Sequence, residues 1–233
     1  MTARALRGLR RLPFRLRRDE SGLALIEFAF AAPIMLTLGL YGLEAANLAL
    51  VNMRVSQVTA NLADTASRIG LDSTLALKEI RESDIDDAFQ AVRLQGGNYN
   101  ITTNGRVILS SLEQNANGGQ WIHWQRCVGQ GKDSSNNFFE STYGAAGDGA
   151  VGKPTITGMG PTGGKITAPA KQAVMFVEAA YTYQPLVSSR LFGTPVIRST
   201  AAFIVRDIRN LADANNPSNA AGAVSMTCDK HTT

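Results

Sequence analysis

An apolar run near the N-terminus is the strongest pattern in this chain. It covers Leu23–Leu43, 21 residues interrupted only by Glu27 and a few small polar groups. A helix of that length is about 31 Å long, close to the hydrocarbon thickness of a bilayer. Pro33 lies within it and predicts a kink, which membrane helices tolerate where neighbouring groups satisfy the freed backbone. We therefore predict a membrane-spanning segment over residues 23–46.

The helical pattern continues beyond this run and becomes amphipathic. One continuous helix from about Leu23 to about Ile69 fits this pattern, and a helix with a hinge near Asn47 is the alternative. A second helix is predicted over Ser83–Leu94, where Ser83 and Asp86 have the spacing of a capping box. Residues 47–98 thus form an amphipathic helical region. In the first helix, apolar side chains recur at steps of three and four residues: Leu48, Val51, Val55, Val58, Leu62, Ala66 and Ile69.

From Tyr99 the period changes to that of β-strands. Two segments rich in β-branched and aromatic residues follow, separated by the turn-like sequence at 117–119. Alternation of apolar and polar positions then recurs over Ala173–Pro185 and over Ile197–Val205. We predict a β-rich head over residues 99–233, with an antiparallel sheet of about four strands packed on the helix. The fold class is therefore α+β.

The segment 144–165 interrupts the strand pattern with many glycines. It contains Gly147 and Gly152-Lys153 at the spacing of a phosphate-binding loop. However, Pro154 occupies the position where Ser or Thr would bind Mg²⁺, and no apolar strand precedes the segment. Nucleotide binding is therefore rejected, and a mobile surface loop is predicted.

Basic residues are concentrated at the N-terminus. Residues 1–22 hold seven of the 23 basic residues and two of the 19 acidic residues, a net charge of +5, which leaves 16 basic and 17 acidic residues for the rest. A basic block beside an apolar run orients the chain with the block on the cytoplasmic side. Because no basic patch with interleaved aromatic residues follows, nucleic acid is not expected as a partner.

Glu27 is the feature that an ordinary membrane anchor does not explain. A carboxylate within the hydrocarbon region costs roughly 2.5–3.5 kcal/mol even on lenient insertion scales. One explanation is a glutamate that snorkels to the headgroup layer. A cleaved secretory signal is disfavoured, because the uncharged stretch Phe28–Leu43 is 16 residues long and no A-x-A cleavage site closes it.

The sequence around Glu27 resembles the processing site of type IV prepilins and pseudopilins, closest to that of Tad (Flp) pilus systems. Gly22 ends the basic leader, and Leu23-Ala24-Leu25-Ile26-Glu27-Phe28 follows. The resemblance implies that a prepilin peptidase removes residues 1–22 by cutting between Gly22 and Leu23, so that Glu27 and Phe28 become the fifth and sixth mature residues. The Glu27 carboxylate can then pair with the new α-amino group of an adjacent subunit. Such pairing would turn a costly charge into a device that sets the register of assembly.

Three blocks of the head resemble TadE/TadG-type minor pseudopilins of the same systems. They are WIHWQRCVG (121–129), VEAAYTYQPL (177–186) and STAAFIVRDIRN (199–210), whereas the segment 144–165 aligns with nothing in that family. The resemblance implies a minor pilin that is not an enzyme, uses no cofactor, and helps to initiate, cap or regulate a fibre.

The same resemblance implies a location and a set of partners. The expected location is the bacterial inner membrane, crossed once, with the head in the periplasm or carried into an extracellular pilus. The implied partners are the prepilin peptidase, the major Flp-type pilin, other minor pilins, the inner-membrane pilus platform and membrane lipid. The alternative is a membrane-anchored periplasmic binding or adhesive domain that never joins a filament; an anchored enzyme ranks third.

Cys127 and Cys228 are the two cysteines of the chain. With the basic block in the cytoplasm, both lie in the periplasm or beyond, where disulfides persist, and an even count favours a bond between them. Two free thiols or a metal site are the alternatives, although the cysteines together with His123 and His231 lack any standard ligand spacing. We predict no metal site and no catalytic residue, because no Ser/His/Asp constellation or spaced carboxylate pair stands out.

Overall fold

A computed structural model describes residues 21–70, 79–206, 209–211, 217–218 and 223–232. The chain divides into two compact units, the first ending at Asn47 and the second beginning at Leu48. Both contain part of one helix, α1, which extends over Ser21–Arg68. The predicted continuous helix is thus present, and neither Pro33 nor Asn47 ends it.

The first unit contains the apolar half of α1. Its large apolar side chains are exposed, for example Leu25 at 70% and Phe30 at 74%. Among the described residues, α1 is the one helix that is long and apolar enough to cross a membrane. Exposure of such a surface is unfavourable in water and favourable in lipid, so the described chain is consistent with a single-pass membrane protein.

The helical side of the second unit combines the amphipathic half of α1 with α2 (Glu82–Gly96). Helix α2 begins one residue earlier than the sequence predicts. Its reciprocal capping contacts therefore involve Arg81 and Asp84, not Ser83 and Asp86; the Arg81 amide donates to Asp84 Oδ2 at 3.1 Å. The buried stripes of the two helices are Val51, Val55, Val58, Leu62 and Ala66 in α1, and Ile85, Phe89 and Val92 in α2.

A short turn region connects α2 to the sheet. The sequence predicts a strand from Tyr99, but Gly97–Tyr99 forms a 3₁₀ turn and Ile101–Asn104 forms one helical turn, α3. Asn100 adopts a left-handed conformation with φ of 49°, far from the extended values typical of strands. The first strand therefore starts at Gly105.

The sheet contains four antiparallel strands, which confirms the predicted fold class. The strands are β1 (Gly105–Gln114), β2 (Gln120–Val128), β3 (Val174–Thr182) and β4 (Val196–Ile204). Their order across the sheet is β2-β1-β3-β4, and a helical turn, α4 (Ser189–Phe192), lies between β3 and β4 in the chain.

Both faces of the central strands β1 and β3 are covered. The alternation predicted for β3 places Met175, Val177 and Tyr181 in the core shared with α1 and α2. The opposite face carries a second, smaller core that includes Phe176 and the fully buried Met159. Because both faces are buried, almost every β3 residue is inaccessible to solvent.

Met159 belongs to the glycine-rich segment 144–165, which the sequence predicts to be a mobile surface loop. The structure differs from that prediction in part, because the segment packs on β2. The Ile122 amide donates to Asp148 O at 2.8 Å, and a Cβ on Gly149 would lie 2.1 Å from Gln120 O. Glycine is needed there for close backbone approach as well as for flexibility.

Candidate functional site

The predicted processing site lies at the start of α1. Helix α1 begins at Ser21, so Gly22 and Leu23 are in its first turn. An added Cβ on Gly22 would meet no atom within 4 Å, and the Leu23 side chain is 59% exposed. Both residues of the predicted cleavage bond are therefore free of packing within the described chain.

Glu27 lies one helical turn after Leu23 on the same face of α1. It is exposed, and apolar side chains surround it along the helix, including Ile26 at 54% and Phe28 at 68% exposure. Its carboxylate makes no hydrogen bond or ion pair with any residue that the structure describes. A carboxylate on an apolar, membrane-length helix is costly unless a partner neutralises it or it reaches the headgroup layer, and no described residue neutralises Glu27.

The same helix offers two positions for close approach by another helix. Gly39 and Gly42 are three residues apart, and a Cβ on either would meet nothing within 4 Å. Small residues on a helix surface permit close helix–helix contact in membranes. Pro33 remains helical, and the Thr37 hydroxyl donates to its carbonyl oxygen at 2.7 Å.

In the head, the predicted disulfide is present between Cys127 and Cys228, which are 101 residues apart in sequence. Cys127 is fully buried on β2. The C-terminal tail also pairs with this edge strand through its backbone, since the Cys127 amide donates to Met226 O at 2.8 Å and the Gly129 amide donates to Thr232 O at 2.6 Å. The tail therefore covers part of a strand edge that could otherwise pair with another chain.

Arg106 is a buried cation that the sequence analysis did not single out. Its guanidinium donates to Glu140 Oε1 at 2.9 Å, to His231 Nδ1 at 2.8 Å and to Cys228 O. Burial lowers the pKa of Arg106, and Glu140 acts in the opposite direction. The His231 ring stacks on Phe138 with centroids 3.6 Å apart. Arg106 thus stabilises the packing of the C-terminal tail through its contacts with Cys228 and His231.

A buried ion pair connects α2 to β2. Arg126 Nε donates to Glu82 Oε2 at 2.9 Å, and the Ser225 hydroxyl donates to Glu82 Oε1 at 3.1 Å. The Glu82 side chain is 2% exposed and that of Arg126 is 12% exposed. No local sequence signal identifies this pair, because its members are 44 positions apart.

Within the described residues, no group of three or more His, Cys, Asp and Glu side chains is placed to hold a metal ion. The structure brings the disulfide cysteines together, whereas Glu27 belongs to the other compact unit. Comparisons with protein-family models, with curated proteins and with solved structures find no match to the chain. Function is therefore inferred from the N-terminal motif and from the fold.

Proposed function

We propose that this protein is a minor pilin or pseudopilin of a Tad-type pilus, a structural component that helps to initiate, cap or regulate the fibre. The single observation that supports this most strongly is α1 itself. One unbroken 48-residue helix exposes apolar side chains along its first half and forms the core of an α+β head with its second half. A subunit that leaves the membrane to pack in a helical bundle needs a helix whose first half is apolar on all sides and whose second half packs on a folded head.

The position of Glu27 supports the same proposal. Removal of residues 1–22 would leave a new α-amino group on Leu23 and would delete a net charge of +5. The mature helix would then carry a cation at its first residue and an anion one turn later. Between subunits staggered along the bundle, the carboxylate of one chain can neutralise the amine of the next. Burial of each charge is tolerable only in that pairing, so pairing selects the register.

The partners follow from this role. The prepilin peptidase would act on Gly22–Leu23 at the cytoplasmic membrane face. The major Flp-type pilin, other minor pilins and the inner-membrane platform would contact the exposed first half of α1, which lies in lipid before assembly. The basic leader would hold the N-terminus in the cytoplasm, with the head in the periplasm.

Processing provides the test of the proposal. Gly22→Lys should leave a full-length precursor in the membrane, because a long charged side chain cannot enter a site that accepts a small residue. Gly22→Ala is the matched control, since it keeps the residue small and should allow processing. If Gly22→Lys migrates on gels at the size of the processed wild type, the result would contradict the pilin proposal.

A membrane-anchored binding domain is the second candidate, favoured by an open cleft on the head that Trp121 and His123 line. A receptor of this kind would retain its arginine-rich leader, whereas a pseudopilin would lose it. The size of the protein recovered from membranes therefore separates the two candidates.

A further inference from the structure

The head carries a cleft of about 870 Å³ next to the turn between β1 and β2. Its volume falls within the range of about 300–1,000 Å³ that is usual for small-molecule sites. Its walls combine aromatic, carboxamide, apolar and basic side chains. The lining includes Gln114, Asn115, Trp121, His123, Val151 and Lys171.

One wall of the cleft is an imidazole held in a fixed orientation. His123 Nδ1 lies 3.0 Å from Glu113 Oε2 and 3.1 Å from Glu113 Oε1. Glu113 is 2% exposed and also accepts a hydrogen bond from the Ser111 hydroxyl at 2.7 Å. These contacts fix the orientation of the His123 ring. Its Nε2 has no hydrogen-bond partner among the described residues and is available to a ligand.

A register shift in the sheet places His123 in this position. Ser111 pairs with Trp124 and Leu112 pairs with Ile122, so His123 has no partner across the strands. An extra residue of this kind bends a strand and redirects its side chain, and such bulges are frequent beside binding sites.

Trp121 adds an aromatic surface beside the imidazole. The two rings stack with centroids 4.4 Å apart and planes 23° from parallel. The negative face of an aromatic ring attracts the weakly positive C–H groups of a ligand. A pyranose ring presents such C–H groups on one face, which suits stacking on the indole face opposite the one that His123 covers.

Lys171 sets the charge of the cleft. It is the one charged side chain among the residues that line the cleft in the described chain. It is exposed, and its φ of 61° lies in the left-handed region that non-glycine residues rarely adopt. A cation at the rim and no anion in the lining favour a ligand that carries a carboxylate.

We propose that this cleft binds an acidic saccharide, such as a uronic-acid unit of a polysaccharide. The sugar ring would stack on the face of Trp121 opposite His123, and the carboxylate would pair with Lys171. This site does not require the chain to enter a filament, and therefore its test is independent of the processing test.

Binding can be measured with the full-length protein in a zwitterionic detergent that contains no sugar. The probes are tetragalacturonate and its fully methyl-esterified form, which keeps the rings and removes the charges. Tryptophan fluorescence and calorimetry report the titration. The wild type is compared with Trp121→Ala and Lys171→Gln, and Lys153→Gln is the matched control because Lys153 is an exposed lysine outside the cleft lining.

We expect saturable binding of the acid below about 1 mM. Loss of the charge-assisted contact should weaken binding about tenfold in Lys171→Gln, and the methyl ester should bind the wild type about tenfold more weakly than the acid does. Trp121→Ala should abolish binding, and Lys153→Gln should leave it unchanged. Because Lys171 is exposed, its variant tests the site without affecting the core.

Three results would overturn the proposal. One is the absence of saturable binding of tetragalacturonate by the wild type. Another is equal weakening in Lys171→Gln and Lys153→Gln, which would indicate attraction to overall charge. The third is full binding by Trp121→Ala while its thermal unfolding temperature matches that of the wild type.

Discussion

Removal of the Cys127–Cys228 bond should destabilise the head strongly. The bond closes a loop of 101 residues and holds the tail on β2. Substitution of both cysteines by alanine keeps apolar side chains at these positions, which matters because Cys127 is fully buried. The variant removes the covalent link and leaves the backbone contacts of the tail to hold it alone.

The expected loss can be worked out from the length of this loop. In the chain-entropy account, a bond closing about 100 residues contributes about 4.7 kcal/mol, and native disulfides typically contribute 2–5 kcal/mol. A looser tail also weakens the contacts of buried Arg106 with Cys228 O and His231. We therefore expect the free energy of unfolding to fall by about 3–5 kcal/mol.

Urea unfolding of the full-length protein in micelles measures this loss. Trp121 and Trp124 both lie on β2, so their fluorescence reports the strand that carries the bond. With a urea dependence of about 2 kcal/mol per molar, the midpoint should fall by about 2 M. Reduction of the wild type should produce the same midpoint as the double variant, and a reductant should not affect the variant.

A midpoint change below about 0.3 M would refute the reasoning, because it would mean that the tail is held without the covalent link. If the urea midpoint falls in the double variant but not in the reduced wild type, the effect comes from side-chain packing at Cys127.

Three further predictions concern single carboxylates. Glu27→Gln and Glu27→Leu should insert in the membrane at least as well as the wild type, because a costly charge is removed. Both variants should lose cross-linking to the major pilin and lower the number of pili per cell. Normal piliation with the leucine variant as the only copy would indicate that Glu27 is a tolerated headgroup-level charge. Glu82→Gln should reduce the free energy of unfolding by about 3 kcal/mol, because it leaves Arg126 buried without its counter-charge. The control is Asp64→Asn, which removes the exposed Asp64–Arg68 pair and should cost less than about 1 kcal/mol in the same urea assay. Desolvation raises the pKa of Glu178, so its contribution to stability is full below the ordinary glutamate pKa and is lost as pH rises through the raised value. Urea midpoints between pH 4 and 7 should therefore favour the wild type over Glu178→Gln increasingly as pH falls, and a constant difference would contradict this assignment.

Local periodicity accounts for what the sequence could predict. The alternation over β3 and the three- and four-residue steps over α1 each report which face an element buries, and burial requires no knowledge of distant residues. Met175 and Val177 lie in the helix-facing core for this reason. The disulfide was predictable from a different argument, because the basic N-terminal block predicts an oxidising compartment for the head, where two cysteines have few other fates.

Contacts between distant segments account for most of what the sequence could not predict. Arg106 and Glu82 are buried because residues 225–231 return to cover them, and no local pattern encodes that return. The strand prediction from Tyr99 was wrong because the turn at Asn100 overrides the β-propensity of Ile101 and Thr102. The orientation of His123 depends on a register shift that propensity does not specify.

Intact-mass analysis and N-terminal sequencing of the native protein from bacterial membranes test the central proposal most directly. The pilin proposal predicts a mature chain that starts at Leu23, with Glu27 as its fifth residue. Deletion of the prepilin peptidase should restore the leader of residues 1–22. A membrane-resident protein that keeps its arginine-rich N-terminus in the presence of an active prepilin peptidase would contradict the proposal and favour an anchored binding domain.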